Sequence, residues 1–226
     1  MQKARSAHSG TIPIRGVVFD YGNVLCYMQQ VSDLEGMARV CGIAMPRFRE
    51  LYWKFRVPYD RSDLTAQTYW QTVAGEDGLV LSGEQIAKLV ELDIQGWARL
   101  NPITVKWAEQ LHRAGLRVGL LSNMPSDLSR FLVANGGWVS YFHHLTFSCD
   151  VRMVKPDPAI YQACLAALAV APEEVLFLDD LAHNIEAAAK LGIHGVVFDG
   201  IEQVTARVAE RFDVPVPDFA RVDPAG

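Results

Sequence analysis

Short apolar runs alternate with longer amphipathic stretches along this chain, and one long block breaks the alternation. The first run, residues 15–20, reads as a buried strand ending in a carboxylate. Residues 28–57 then carry apolar and aromatic positions at helical spacing, broken at Gly42 and Pro46. Residues 63–74 and 83–99 read as two more helices, the first opened by Thr65 or Ser62 and the second by Ser82. No strand pattern falls between Met28 and Asn101. After Pro102 the sequence predicts helix 103–114 stopping at Gly115, strand 117–121, helix 126–135 before Gly136-Gly137, and a short strand near 144–148. Asp157-Pro158 opens a helix to about residue 169, as N-cap and first helical position. Strand 175–179, helix 183–191, strand 194–198 and helix 201–212 follow, and Pro215 and Pro217 make the tail extended. Strands alternating with helices predict an α/β fold, a parallel sheet with helices on both faces, here interrupted after its first strand by an all-helical insertion. The expected division is a flexible leader over 1–13, a core of 14–27 and 102–226, and the helical block 28–101.

At 226 residues and 50% hydrophobic, the chain can bury a substantial core. Its net charge of −5, with both signs interspersed, offers no footprint for nucleic acid or an anionic membrane. The apolar runs are too short to span a bilayer, and the polar start lacks the apolar stretch of a signal peptide. Cys26, Cys41, Cys149 and Cys164 show no metal-type spacing and read as free thiols in a reducing cytoplasm. Cys26 is expected to be a small buried residue, with reactivity as the alternative.

In a parallel sheet the carboxyl ends of the strands share one edge, where the chemistry of such folds collects. Read in order, those ends carry Asp20, Ser122-Asn123, Lys155 from a loop, and Asp179-Asp180. Clustered carboxylates repel one another unless a cation sits among them, and Mg²⁺ is the natural oxygen-seeking occupant. Ser122, the amides after it and Lys155 suit a small tetrahedral anion. Carboxylate nucleophile, Mg²⁺ and anion cradle together describe phosphoryl transfer through an aspartyl phosphate. Each motif alone has a plainer reading: Asp20-Tyr21-Gly22-Asn23 also fits a hairpin turn, and Ser122-Asn123 a helix cap.

The four motifs in sequence, Phe19-Asp20-Tyr21-Gly22-Asn23-Val24, Leu121-Ser122-Asn123, Lys155-Pro156, and Leu178-Asp179-Asp180 with Asn184, resemble those of the haloacid dehalogenase-like (HAD) hydrolase superfamily. The resemblance implies a Rossmann-like core and a C1-type helical cap over 28–101 that closes on small substrates. It makes Asp20 the nucleophile and a metal ligand, with the Gly22 carbonyl and Asp180 completing the protein ligands and Asp179 in or beside that shell. Ser122 and Asn123 would hold phosphate, Lys155 would bridge nucleophile and phosphate, and Asn184 would support the metal from behind. The expected partner is a small phosphorylated molecule, with no nucleic acid or membrane, and the expected state is a cytoplasmic monomer or homodimer.

The pattern departs from the family at Gly22, where most of its phosphatases carry a second aspartate as general acid. The Asp-x-Gly-Asn-Val form is similar to a bacterial branch that includes a sugar-1-phosphate phosphatase, and a sugar phosphate is the expected substrate. Asp179, His183 or a metal-bound water would then serve as acid. Alternatives are a carbon–halogen hydrolase, whose leaving halide needs no proton, and an inactive binding module. In the helical block Tyr52, Trp53, Phe55, Tyr59, Tyr69 and Trp70 are expected to pack its interior rather than stack on a sugar. Arg61, in the polar loop 59–63, is the candidate substrate contact. Arg47 and Arg49 read as surface charges, and His143-His144 as structural or exposed.

Overall fold

The computed structural model describes residues 10–217. In chain order its strands are β1 (Ile12–Pro13), β2 (Gly16–Phe19), β3 (Arg117–Ser122), β4 (His144–Phe147), β5 (Val175–Asp179), β6 (His194–Val197) and β7 (Phe212–Asp213). Five of them form one parallel sheet in the order β4-β3-β2-β5-β6. The helices are α1 (Val31–Cys41), α2 (Met45–Lys54), α3 (Arg56–Asp60), α4 (Ala66–Gly75), α5 (Gly83–Trp97), α6 (Pro102–Arg113), α7 (Ser126–Asn135), α8 (Ser148–Val151), α9 (Pro158–Leu168), α10 (Ala182–Ala189) and α11 (Ile201–Arg211).

Alternation along the central strands divides their side chains between two apolar layers. Val17, Phe19, Leu176 and Leu178 join Trp107 and Leu111 of α6, Leu128 and Leu132 of α7, and Val204 and Val208 of α11. Val18, Leu121, Val175 and Phe177 join Ile160, Tyr161 and Cys164 of α9 and Ala188 of α10. Sheet strands buried on both faces need apolar residues at every position, which is why they read as unbroken apolar runs.

Two glycines bring helices unusually close to this sheet. A Cβ on Gly119 would lie 2.7 Å from Leu168 Cδ1, the mobile end of a side chain. A Cβ on Gly195 would lie 2.5 Å from Ile185 Cγ2 of α10, a branched position with no freedom to swing aside. Gly195→Ala is therefore expected to push α10 off the sheet and lower stability by about 1–3 kcal/mol, measurable by urea unfolding. A midpoint equal to wild type would show that α10 does not need this close approach.

The helical insertion spans α1 to α5 and has its own interior. Met37, Phe48, Leu51, Tyr52, Tyr69, Trp70, Val73 and Leu89 pack together, apart from both sheet layers. Thr65 and Ser82 cap α4 and α5, each accepting from the amide three residues on. Ser62 has φ 60° and lies before the helix, which decides the alternative in favour of Thr65. The two chain crossings between insertion and sheet run antiparallel: the Tyr27 amide donates to Arg99 O (2.8 Å) and the Asn101 amide to Leu25 O (2.9 Å). No helix among the described residues is long and apolar enough to cross a membrane.

The leader expected over 1–13 needs correction at its end. Ile12 packs against the larger layer, and Ile12–Pro13 pairs in parallel with Phe212–Asp213 as β1 and β7. The two-residue ladder was invisible to periodicity because each strand is too short to show any. Residues 1–9 and 218–226 lie outside the described part of the chain.

Candidate active site

The chain leaves β2, builds β3 and β4 on one side, and returns to lay β5 on the other. Such a reversal opens a crevice at the carboxyl ends of the flanking strands. Phe19 is level with Leu120 and with Leu178, so Asp20 emerges beside Asp179, and Ser122 ends the neighbouring strand. The Asp20 amide donates to Leu178 O at 2.8 Å, continuing the ladder to Asp20. After Asp20 the backbone makes a wide turn, closed by the Cys26 amide on Tyr21 O, with Asn23 left-handed at φ 55°. Asparagine tolerates that conformation, and here its Nδ2 donates to Asp180 Oδ2 at 3.1 Å.

Lys155 lies at the centre of the cluster. Its side chain is 2% exposed, with Nζ donating to Asp179 Oδ2 (2.6 Å) and lying 2.7 Å from Asp20 Oδ1 as an ion pair off the hydrogen-bond line. Asn123 holds the lysine backbone at both ends: Lys155 N donates to Asn123 Oδ1 (2.8 Å), and Asn123 Nδ2 to Lys155 O (3.0 Å). Asn123 thus positions Lys155 rather than standing free for an anion. Of the amides after Ser122, that of Met124 is also engaged, donating to Ser148 Oγ at 2.9 Å.

Asp179 is fully buried, and its acceptor positions are all taken. Oδ1 accepts from Leu181 N (2.8 Å) and Asn184 Nδ2 (3.0 Å), and Oδ2 from Lys155 Nζ and Asn184 Nδ2 (3.1 Å). It does not line the cleft, unlike Asp20 and Asp180. Asp179 is thereby placed to hold Lys155, and the sequence expectation that it exchanges protons with substrate meets a carboxylate with no free lone pair.

Carboxylate oxygens of Asp20, Asp179 and Asp180 lie within 4.8 Å of one another. Three carboxylates against one ammonium leave two excess negative charges, which matches a divalent cation, and an all-oxygen donor set matches Mg²⁺. Asn184 Oδ1, buried beside this cluster without a partner, is a spare acceptor for the shell of such an ion. Burial pushes the Asp20 carboxyl up to about 7, Lys155 opposes the rise, and Asp179 adds to it. Burial also raises Asp180. Burial works against the Lys155 charge, but Asp20 and Asp179 outweigh it and raise the ammonium above its ordinary value.

A cleft of about 580 Å³ lies between the strand ends and the helical insertion. Gly22, Ser122, Asn123 and Asn184 line it from the sheet side, and Arg49, Trp53, Arg56 and Asp60 from the insertion. Arg61 is not brought to it. Its guanidinium pairs with Asp63 two residues on, in a loop that faces solvent. Arg49, expected as a surface charge, does line the cleft, whereas Arg47 pairs with Glu50 and Asp77 on the surface as expected. Trp53 is 43% exposed and faces the cleft, while Tyr52, Tyr59, Tyr69 and Trp70 pack inside the insertion. Exposed His183 also lines the cleft. Cys26 is buried, and burial pushes its thiol up to about 12, which fits the inert role.

Gly22 has ordinary backbone angles (φ −62°, ψ 129°), and a Cβ there would meet only Trp97 Cζ3, at 3.6 Å. The local fold therefore does not demand glycine at this position.

Arg56 anchors a second buried polar cluster. It donates through Nη1 to Asp93 Oδ2 (2.8 Å) and to Tyr52 Oη (2.8 Å), and its Nε lies 2.9 Å from Asp60 Oδ1. Asp93 Oδ1 also accepts from Tyr52 Oη (2.6 Å) and Gln29 Nε2 (3.1 Å). Burial pushes Asp60 up to about 6 against the pull of Arg56. Nothing in the sequence spacing signalled this cluster, because Arg56, Asp60 and Asp93 come from two helices whose docking brings them together.

Comparison with known proteins follows the same lines. A phosphatase of Mycobacterium tuberculosis is 28% identical over 82% of this chain and 88% of its own length. (S)-2-haloacid dehalogenase 2 of Pseudomonas sp. is 29% identical over 79% of this chain and 81% of its own. Mouse acyl-CoA dehydrogenase family member 10 is 30% identical over 51% of this chain, a match spanning only 11% of that longer protein. Among solved structures, a HAD family enzyme from Bacteroides thetaiotaomicron in complex with magnesium and inorganic phosphate superposes with a TM-score of 0.66. It shares 20% identity over 81% of this chain and 93% of its own, a likeness of fold. The family model for haloacid dehalogenase-like hydrolases matches residues 14–192, and the chain belongs to that family.

Proposed function

We propose that this hydrolase is a Mg²⁺-dependent phosphatase of a small phosphorylated metabolite, working through an aspartyl phosphate on Asp20. One observation carries the reading: Lys155 is locked by Asp179 against Asp20, which leaves Asp20 as the carboxylate that faces both the cleft and a fixed cation. The phosphatase and dehalogenase relatives leave both chemistries open to the family. The adjacent Asp180 and the spare Asn184 acceptor favour the metal-dependent one.

In the proposed reaction Asp20 attacks phosphorus in line, and the P–O bond to the alcohol breaks. Water then opens the aspartyl phosphate and releases inorganic phosphate. Lys155 balances charge on the nucleophile and on the transferring group, and Ser122 offers its hydroxyl from the end of β3. Asp20, Asp180 and the Gly22 carbonyl would hold Mg²⁺, with Asn184 behind them. When bound, that ion neutralises carboxylate and phosphoryl charge. The helical insertion acts as the cap that shapes the substrate space. Trp53 and Trp97 line that space, which places sugar phosphates first among candidates.

The test is phosphate release from sugar, acyl and nucleotide phosphates, with MgCl₂ or with EDTA, and 2-haloacids as a control. Release that requires the metal is expected. Halide release without metal would overturn the assignment in favour of the dehalogenase reading.

A further inference from the structure

The phosphatase reading leaves a chemical gap, because an alkoxide leaves poorly unless a proton reaches it, and Gly22 carries no acid. Among the titratable side chains lining the cleft, Asp20, Asp180 and Lys155 belong to the metal and nucleophile cluster, and Arg49 and Arg56 do not release protons. Tyr21 also lines it, but its hydroxyl donates to Trp97 O at 2.7 Å and burial holds it well above its ordinary value. His183 and Asp60 remain. His183 is exposed to solvent, whereas Asp60 is buried, on the insertion side of the same cleft.

We propose that Asp60 is the general acid, reaching from the helical insertion to the oxygen that leaves Asp20-bound phosphorus. Two features of the structure carry this beyond its place in the cleft. The first is charge count. Arg56 is one cation between two buried carboxylates, Asp60 and Asp93. Asp93 accepts from Arg56, Tyr52 and Gln29. Asp60 has only the misaligned Arg56 contact, so the extra proton of the cluster belongs on Asp60.

The second feature is anchoring. Ser148 Oγ donates to the Asp60 carbonyl at 2.6 Å and accepts from the Met124 amide at 2.9 Å. Tyr59 Oη donates to Asp127 Oδ2 at 3.1 Å. The end of α3 is therefore fastened to the core two residues beyond Ser122. A proton donor on an insertion needs this kind of tether to keep its position relative to the nucleophile.

The proton balance closes over the cycle. As the ester P–O bond breaks, the Asp60 proton passes to the leaving oxygen and neutral alcohol departs. The Asp60 carboxylate then takes a proton from the water whose oxygen attacks phosphorus, and inorganic phosphate and Asp20 are regenerated.

The inference rests on the phosphatase reading, and the experiment separates the two. Its probes are p-nitrophenyl phosphate, whose leaving group needs no proton, and benzyl phosphate, whose similar shape carries a poor one. Asp60→Asn, nearly isosteric, is expected to lower kcat/KM on benzyl phosphate by about 100-fold and on p-nitrophenyl phosphate by no more than about fivefold. Adding Gly22→Asp in the Asp60→Asn background should recover benzyl phosphate turnover at least about tenfold, since the backbone at residue 22 is ordinary and a Cβ there meets no clash. If Asp60→Asn does not fold, Asp60→Ser, which also removes the carboxyl, serves the same comparison and must again depress benzyl phosphate more. Equal losses on both probes, no loss on either, or a selective loss in His183→Gln instead would overturn the assignment of Asp60. A wild-type protein with no Mg²⁺-dependent activity on either probe would instead overturn the phosphatase reading itself.

Discussion

Asp20→Asn should lose phosphate release by about 10⁴-fold or more while keeping its fold. The amide oxygen is too weak a nucleophile to form the covalent intermediate, and no other cleft-lining carboxylate follows β2 at that position. Stability should move the other way. Burial already pushes the Asp20 carboxyl up to about 7, so a neutral amide there relieves the metal-free protein of a charge it disfavours. In EDTA at pH 8 the variant should unfold at an equal or higher urea concentration than wild type. The pairing of lost turnover with retained stability distinguishes a chemical role from a structural one. Phosphate release within tenfold of wild type would remove Asp20 from the chemistry, and with it the covalent mechanism.

The sheet was readable because its physics is local. A strand buried on both faces must be apolar throughout, and helices between parallel strands must be amphipathic, so 175–179 and 201–212 announce themselves. Thr65, Ser82 and Asp157 were readable as caps for the same reason, since each serves an amide two or three residues on. The strand-end residues were legible too, because a parallel sheet forces Asp20, Ser122 and Asp179 to one edge whatever else the chain does.

The insertion side of the cleft was not legible. Trp53 and Tyr52 are neighbours of the same chemical class, yet one faces the cleft and the other is fully buried against Tyr69 and Trp70. Which face of α2 points inward depends on how the insertion docks, and no spacing within α2 encodes that. Arg49 is exposed, as expected, yet it also lines the cleft, and Arg61 does not, for the same reason. Arg61 lies in the right loop, but Asp63 stands two residues away and captures it. The role of Asp179 was also out of reach: adjacent aspartates after a strand look equivalent, and only the hydrogen bonds from Asn184 and Leu181 show that one serves Lys155 while the other opens to the cleft.

Lys155→Met is the variant with the largest expected effect on stability. Methionine fills a similar volume but removes the cation lying between Asp20 and Asp179, leaving buried charge uncompensated. Breaking such a pair from one side costs about 3–5 kcal/mol. The cost should depend on pH in a definite direction. Asp20 lies at about 7 even with Lys155 pulling it down, so without the ammonium its folded-state value climbs higher still above the ordinary 3.8. A carboxyl raised on folding contributes stability that is complete below about pH 4 and is lost as the pH rises through its folded value. The deficit relative to wild type should therefore be small near pH 4 and reach its full size by pH 8. Mg²⁺ should recover part of it at neutral pH, because a divalent ion on Asp20 and Asp180 compensates the same charge. Urea titrations at the two pH values, in EDTA and in MgCl₂, measure all three effects. A deficit that is the same at pH 4 and pH 8 would mean that Lys155 stabilises the fold by its packing, with Nζ 5.5 Å from the Phe177 ring centroid for example, and not by balancing the carboxylates.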